Sequence, residues 1–176
     1  KVVAIQDVSG TVCNPAGILS ASACGEIDRM LYALEQQTGI ETVVAVVPSI
    51  GNEDCFEFSH QLLNEWGVGK KDKNNGLVIL LVTDQRCIQF YTGYGLEGDL
   101  PDAICKRIQT RDMIPYLKDD NWDAGMVAGV RAVCARLDGS MTNDSDENSG
   151  ESPIGLILAV IGFFAIAIVA GILKTR

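Results

Sequence analysis

Leu77-Val78-Ile79-Leu80-Leu81-Val82 is an unbroken apolar run, and Ile88-Gln89-Phe90-Tyr91-Thr92 follows it with alternating character. The first reads as a strand at the centre of a sheet that is covered on both faces. The second reads as its neighbour, with Asp84-Gln85-Arg86 as the turn of a hairpin. Upstream, Thr42 to Val47 is a β-branched run bounded by Pro48, which predicts a second buried strand. Cys24, Ile27, Leu31 and Leu34 recur at helical spacing before Gly39. Cys55, Phe58, Leu62 and Trp66 do the same before Gly67. Pro101 opens a third helix through Ile104 and Ile108. A last helix is expected over Trp122–Leu137, with Met126, Val127, Val130, Val133 and Leu137 on one face. Helix, strand, helix, strand, strand, helix, helix is the order of an α/β layered domain, over about residues 1–137.

Outward from that domain, residues 138–152 are rich in Ser, Asn, Asp and Gly and nearly free of large apolar side chains. Such a segment buries too little to offset its chain entropy, so a flexible acidic tether is expected. From Ile154 to Leu173 there is neither a charged nor a polar side chain. As a helix this stretch spans roughly 30 Å, the thickness of a hydrocarbon core, and a buried core helix would keep a polar stripe that it lacks. A transmembrane helix over 153–173 is therefore expected, with Pro153 at its first turn. Lys174 and Arg176 follow it, whereas five acids and no base precede it between Asp138 and Glu151. Basic flanks stay cytoplasmic, which places the N-terminal domain outside the cytoplasm and residues 174–176 inside as a short tail. The first residue is Lys1, and a cleaved signal peptide is the matching expectation for an exported, anchored chain. Gly155, Gly162 and Gly171 offer a second helix a close approach, a route to self-association.

The net charge of −9 is repelled by phosphate, so nucleic acid is not an expected partner. Lys70, Lys71 and Lys73 read as a solvated loop. The chemistry available is narrow. The lone histidine, His60, sits between Ser59 and Gln61 inside the second helix and reads as a surface residue. No metalloprotease, nucleophile-elbow or phosphate-loop motif is present. The six cysteines have no zinc-site spacing. Outside the cytoplasm their even number suggests disulfides of undetermined pairing. The rival reading makes Cys24, Cys55, Cys105 and Cys134 small buried residues on apolar helix faces. Carboxylates remain. A hairpin brings the loop before Leu77 beside the loop after Thr92, and so Asp72 towards Glu97, Asp99 and Asp102. Such oxygens suit a hard cation such as calcium, with Asn14 or backbone carbonyls completing the set. They equally suit the start of the Pro101 helix, whose dipole favours acids without any metal.

Several pieces then carry a family resemblance: Val12-Cys13-Asn14-Pro15-Ala16-Gly17-Ile18-Leu19-Ser20, Trp66-Gly67-Val68-Gly69, Asn74-Asn75-Gly76, Thr92-Gly93-Tyr94-Gly95-Leu96-Glu97 and Pro101-Asp102. In this order and spacing, over about Val12 to Leu137, the chain resembles the TPM domain family. The resemblance implies a Rossmann-like α/β/α sandwich, exported and often followed by a membrane helix. It also implies divalent-cation binding in some members and an acid phosphatase activity proposed for a plant member. Asn14 stands where the family usually has Asp, which removes charge from any ion site built there. The expectation is a membrane-anchored domain that works by contact with membrane proteins in their assembly, repair or regulation. The rival from another class is a metal-dependent acid phosphatase acting on phosphomonoesters, and a third reading is a structural spacer.

Overall fold

The computed structural model describes residues 10–140. The expected membrane helix, the cytoplasmic tail and nearly all of the tether lie outside them. Among the described residues no helix is long and apolar enough to cross a membrane.

Ser20 and Gly39 set the ends of α1 (Ala21–Thr38). The Ser20 hydroxyl accepts from the Ala23 N–H, and Gly39 closes the helix at φ 73°. Asp54 caps α2 (Cys55–Glu65) in the same way, through the Glu57 N–H. Between and around them run β1 (Val12–Cys13), β2 (Glu41–Val47), β3 (Gly76–Val82) and β4 (Cys87–Thr92). The sheet order is β1-β2-β3-β4. β2 and β3 pair in parallel from Glu41↔Gly76 to Val47↔Val82, and β3 and β4 form the expected antiparallel hairpin. β1 was not expected: two residues are too few to show alternation, and Val12 and Cys13 are held by parallel pairing to Val44 and Ala45.

The mixed sheet carries helices on both faces. Leu77, Ile79 and Leu81 join the core under α1 and the C-terminal helices, while Val78, Leu80 and Val82 join the core under α2. The unbroken apolar run of β3 is thus one side chain up, one down, all buried. Both crossovers, β1–α1–β2 and β2–α2–β3, step the same way across the sheet, yet α1 and α2 cover opposite faces. They are therefore of opposite hand, so one departs from the right-handed rule.

After Pro101 the chain forms α3 (Asp102–Ile108), then a π-helical turn over Gln109–Met113, then α4 (Ile114–Leu117). The widening precedes Pro115, which has no N–H to return to the turn before it. α5 (Trp122–Leu137) follows as expected. A Cβ on Gly125 or Gly129 would run into Leu117 or Met113, so these two glycines let α5 lie close on the preceding turns. Arg86, in the hairpin turn at φ 50°, reaches across to the Leu117 and Lys118 carbonyls, both at 3.0 Å, and to Asp120 at 2.8 Å.

Cys55 and Cys87 form a disulfide that ties the start of α2 to the start of β4. This corrects the reading of Cys55 as a free apolar filler; Cys24, Cys105 and Cys134 do remain free, with Cys13. Burial pushes the thiols of Cys13 and Cys134 up to about 11. The crosslink spans a sequence separation of 32. In the chain-entropy account such a loop is worth about 3–4 kcal/mol. Replacing both Cys55 and Cys87 by Ser is expected to lower the unfolding free energy by about 2–4 kcal/mol, read from urea denaturation. Reductant should lower the midpoint of the parent chain and leave that of this variant unchanged.

Candidate functional site

Two loops meet where β3 begins and β4 ends. Asn75 is buried, and both ends of its amide are used: Oδ1 accepts from the Lys70 N–H at 2.9 Å, and Nδ2 donates to the Gly39 carbonyl at 3.0 Å. Asn74 holds φ 49°, and its carbonyl accepts from the Gly95 N–H at 2.9 Å. The Gly93 N–H donates to the Gly76 carbonyl at 2.7 Å. The approach is main chain on main chain. A Cβ on Gly76 would strike the Val68 carbonyl, on Gly93 that of Asn74, and on Gly95 that of Lys73. Asn74, Asn75, Gly76, Gly93 and Gly95 are therefore parts of a lock between two loops. Tyr94, between the last two, is 81% exposed and contributes its ring to the surface.

The expected cation ligands do not share one place. Asn14 lies in the loop before α1, where its Oδ1 accepts from the Leu19 N–H at 3.1 Å and its Nδ2 donates to the Leu19 carbonyl at 2.9 Å. An aspartate could not make the second bond, so Asn suits this loop by itself. Asp72 is exposed in the turn before Asn74, and Asp99 is exposed with its main-chain carbonyl taken by Arg136 at 2.9 Å. Asp102 lies in the first turn of α3, where the helix dipole favours an acid, and pairs with Lys106 at 3.2 Å. Among the described residues no three His, Cys, Asp or Glu come together as a set that could hold a metal ion.

Glu97 and Asp102 do meet a common space, a cleft of about 630 Å³ along β4. Its floor is the strand itself, Gln89 to Thr92. One wall is aromatic: Phe56 of α2 lies 5.3 Å from Tyr91, and His60, which does not line the cleft, stacks on Tyr91 at 4.9 Å. The other wall is Pro101, Asp102, Cys105 and Lys106. Burial raises the Tyr91 phenol, and Glu57 and Glu97 raise it further. Burial, with Asp102 adding to it, pushes the Cys105 thiol up to about 11. At neutral pH that thiol is protonated and is a poor nucleophile. Sequence reasoning missed the aromatic wall. Its one signal was Phe56, an aromatic one place off the apolar stripe of α2 and 53% exposed.

A mixed α/β domain with a cleft along its antiparallel edge strand is the class this geometry defines. The model of the TPM domain matches residues 12–136, and the chain belongs to that family. A chloroplastic UPF0603 protein of Oryza sativa subsp. indica is 22% identical over 129 residues, covering 73% of this chain and 43% of the relative. One from Arabidopsis thaliana is 20% identical over the same length. The chain thus spans less than half the length of these plant relatives. Among solved structures, the N-terminal domain of a P. gingivalis protein is similar at TM-score 0.71 and 40% identity, covering 77% of this chain and 87% of that one. The BA42 protein of Bizionia argentinensis shares the fold at TM-score 0.62 and 16% identity, covering 76% and 90%.

The lock makes a direct prediction. Asn75→Ala strips the partner from the part-buried Lys70 N–H and one donor from the Gly39 carbonyl, and should cost about 1–2 kcal/mol in chemical denaturation. Asn75→Asp keeps the acceptor for the Lys70 N–H but sets a carboxylate oxygen against the Gly39 carbonyl at a buried position, and should cost at least as much. A change below about 0.5 kcal/mol for the alanine variant would contradict the structural role of this amide.

Proposed function

We propose that this chain is an anchored docking domain: Ile154–Leu173 holds it in a membrane, residues 10–140 stand outside the cytoplasm, and the cleft along β4 recognises other membrane proteins by contact. The observation that carries this reading is the aromatic wall. Phe56 is half-exposed in a cleft, and aromatic anchors beside a polar rim are what protein contacts use. The disulfide supports an oxidising compartment, and the charge asymmetry around the apolar segment supports the orientation. Assembly, repair or regulation of membrane proteins is the setting such a tethered contact module suits. The glycines at 155, 162 and 171 would let two anchors pack together.

The phosphomonoesterase reading has one observation in its favour: Glu97 and Asp102 share the cleft. Two carboxylates alone do not fit a catalytic metal or calcium, and the neighbouring Cys105 is held protonated. Contact is therefore the better-supported reading.

A photo-reactive phenylalanine analogue at position 56 of the full chain, in its native membrane, tests the proposal. Discrete adducts are expected from position 56 and not from Tyr32, an exposed residue on α1. No adduct at position 56, or the same pattern from both, would overturn the cleft as the contact face.

A further inference from the structure

The Gly93 N–H bonds to the Gly76 carbonyl, and the hairpin register continues from that pair through Tyr91↔Val78 and Gln89↔Leu80. Antiparallel ladders alternate, so residues 89, 91 and 93 turn their main-chain groups towards β3. Ile88, Phe90 and Thr92 turn theirs away, and among the described residues β4 is the last strand of the sheet. The Phe90 carbonyl bears out this direction: it takes the Gln89 side-chain amide at 2.9 Å, a bond made along the open edge. The cleft therefore contains main-chain donors and acceptors of Phe90 and Thr92 with no strand beside them among the described residues.

Resting on the docking reading above, we propose that the cleft binds an extended peptide segment of a partner protein as an added, antiparallel fifth strand on β4. The segment alternates apolar and basic side chains. The alternation follows from the walls. Phe90 belongs to the core under α3 and Tyr91 to the core under α2, so the two faces of β4 look at different walls. Side chains of an added strand alternate between those walls with period two. One parity meets Phe56 and Tyr91 and is apolar. The other meets Asp102, already paired with Lys106, and Glu97 lines the same cleft; the two carboxylates outnumber the one ammonium, so this parity is Lys or Arg. The chain's own acidic residues 138–151 are excluded by like charge, and its net charge of −9 favours a basic segment. Directly opposed residues of an antiparallel pair share a face. The residues that pair with Phe90 and Thr92 are therefore the basic ones.

The probe is a synthetic peptide of alternating valine and lysine, added to the full chain in detergent micelles. Amide hydrogen exchange is read residue by residue. Saturating peptide should slow exchange at Phe90 and Thr92 about tenfold, and leave Gln89 and Tyr91, already bonded to β3, unchanged. A valine–glutamate peptide should have no effect. Main-chain N-methylation of the lysines should abolish the protection, and of the valines should spare it. Thr92→Pro removes one outward N–H at an edge position that tolerates proline, and should weaken binding about tenfold. Protection that survives methylation at either parity would overturn the added strand. So would protection of Phe90 and Thr92 without peptide that grows with protein concentration, which would make a second copy the occupant. Adducts from position 56 without any protection would leave the docking reading and remove this one; failure of both would remove both.

Discussion

Main-chain packing between the loop before β3 and the loop after β4 is the constraint on which the rest of the structure depends. Asn74, Asn75 and Gly76 on one side and Gly93 and Gly95 on the other approach too closely for a Cβ at any of the glycines. The carbonyls of Asn74 and Gly76 accept the N–H groups of Gly95 and Gly93. Through Asn75 the same lock reaches Gly39, the cap of α1, and through Gly69 it reaches Glu41 at the start of β2. One end of the sheet is thereby fixed without a large side chain. Residues 93–97 are led from that lock towards α3, and the cleft lies between the strand and the helix so placed.

The two edges of the sheet are handled differently. β1 offers two residues and so little to pair with. β4 offers six, yet its outer side is guarded by one glutamine amide and by walls from α2 and α3. Exposed edges are a hazard that proteins usually blunt with charge, bulges or cover. Here the cover is partial and leaves room for a segment between two walls. The disulfide adds to this by pinning the start of β4 to α2, which keeps the aromatic wall against the strand. Stability and the open cleft thus draw on the same connections.

Periodicity made α1, β2, α2, β3, β4 and α5 legible, because each buries a face large enough to impose a repeat. β1 was illegible since its two residues owe their conformation to Val44 and Ala45. The π turn and α4 were illegible because they arise from Pro115 meeting a helix packed under α5, which is a tertiary matter. The meeting of the two loops was legible from hairpin geometry, but its chemistry was not. The acids looked like ligands; Asp102 pairs with Lys106, Asp72 and Asp99 are exposed on loops, and only Glu97 and Asp102 face one space. Cysteine pairing depends on the approach of α2 to β4, so spacing could not choose Cys55 and Cys87. The aromatic wall joins Phe56 to Tyr91 across 35 positions of sequence and leaves only a weak local trace.

The glycine–asparagine motif is, on this reading, a structural lock that holds the cleft in shape. Native-state hydrogen exchange of the Gly93 and Gly95 amides, measured against denaturant, tests it most directly. A lock of this kind requires both amides to exchange only through global unfolding, with the free energy of the β3 core. Exchange of either amide through a local opening several kcal/mol cheaper than global unfolding would show that the loops part while the sheet stays folded, and would contradict the lock.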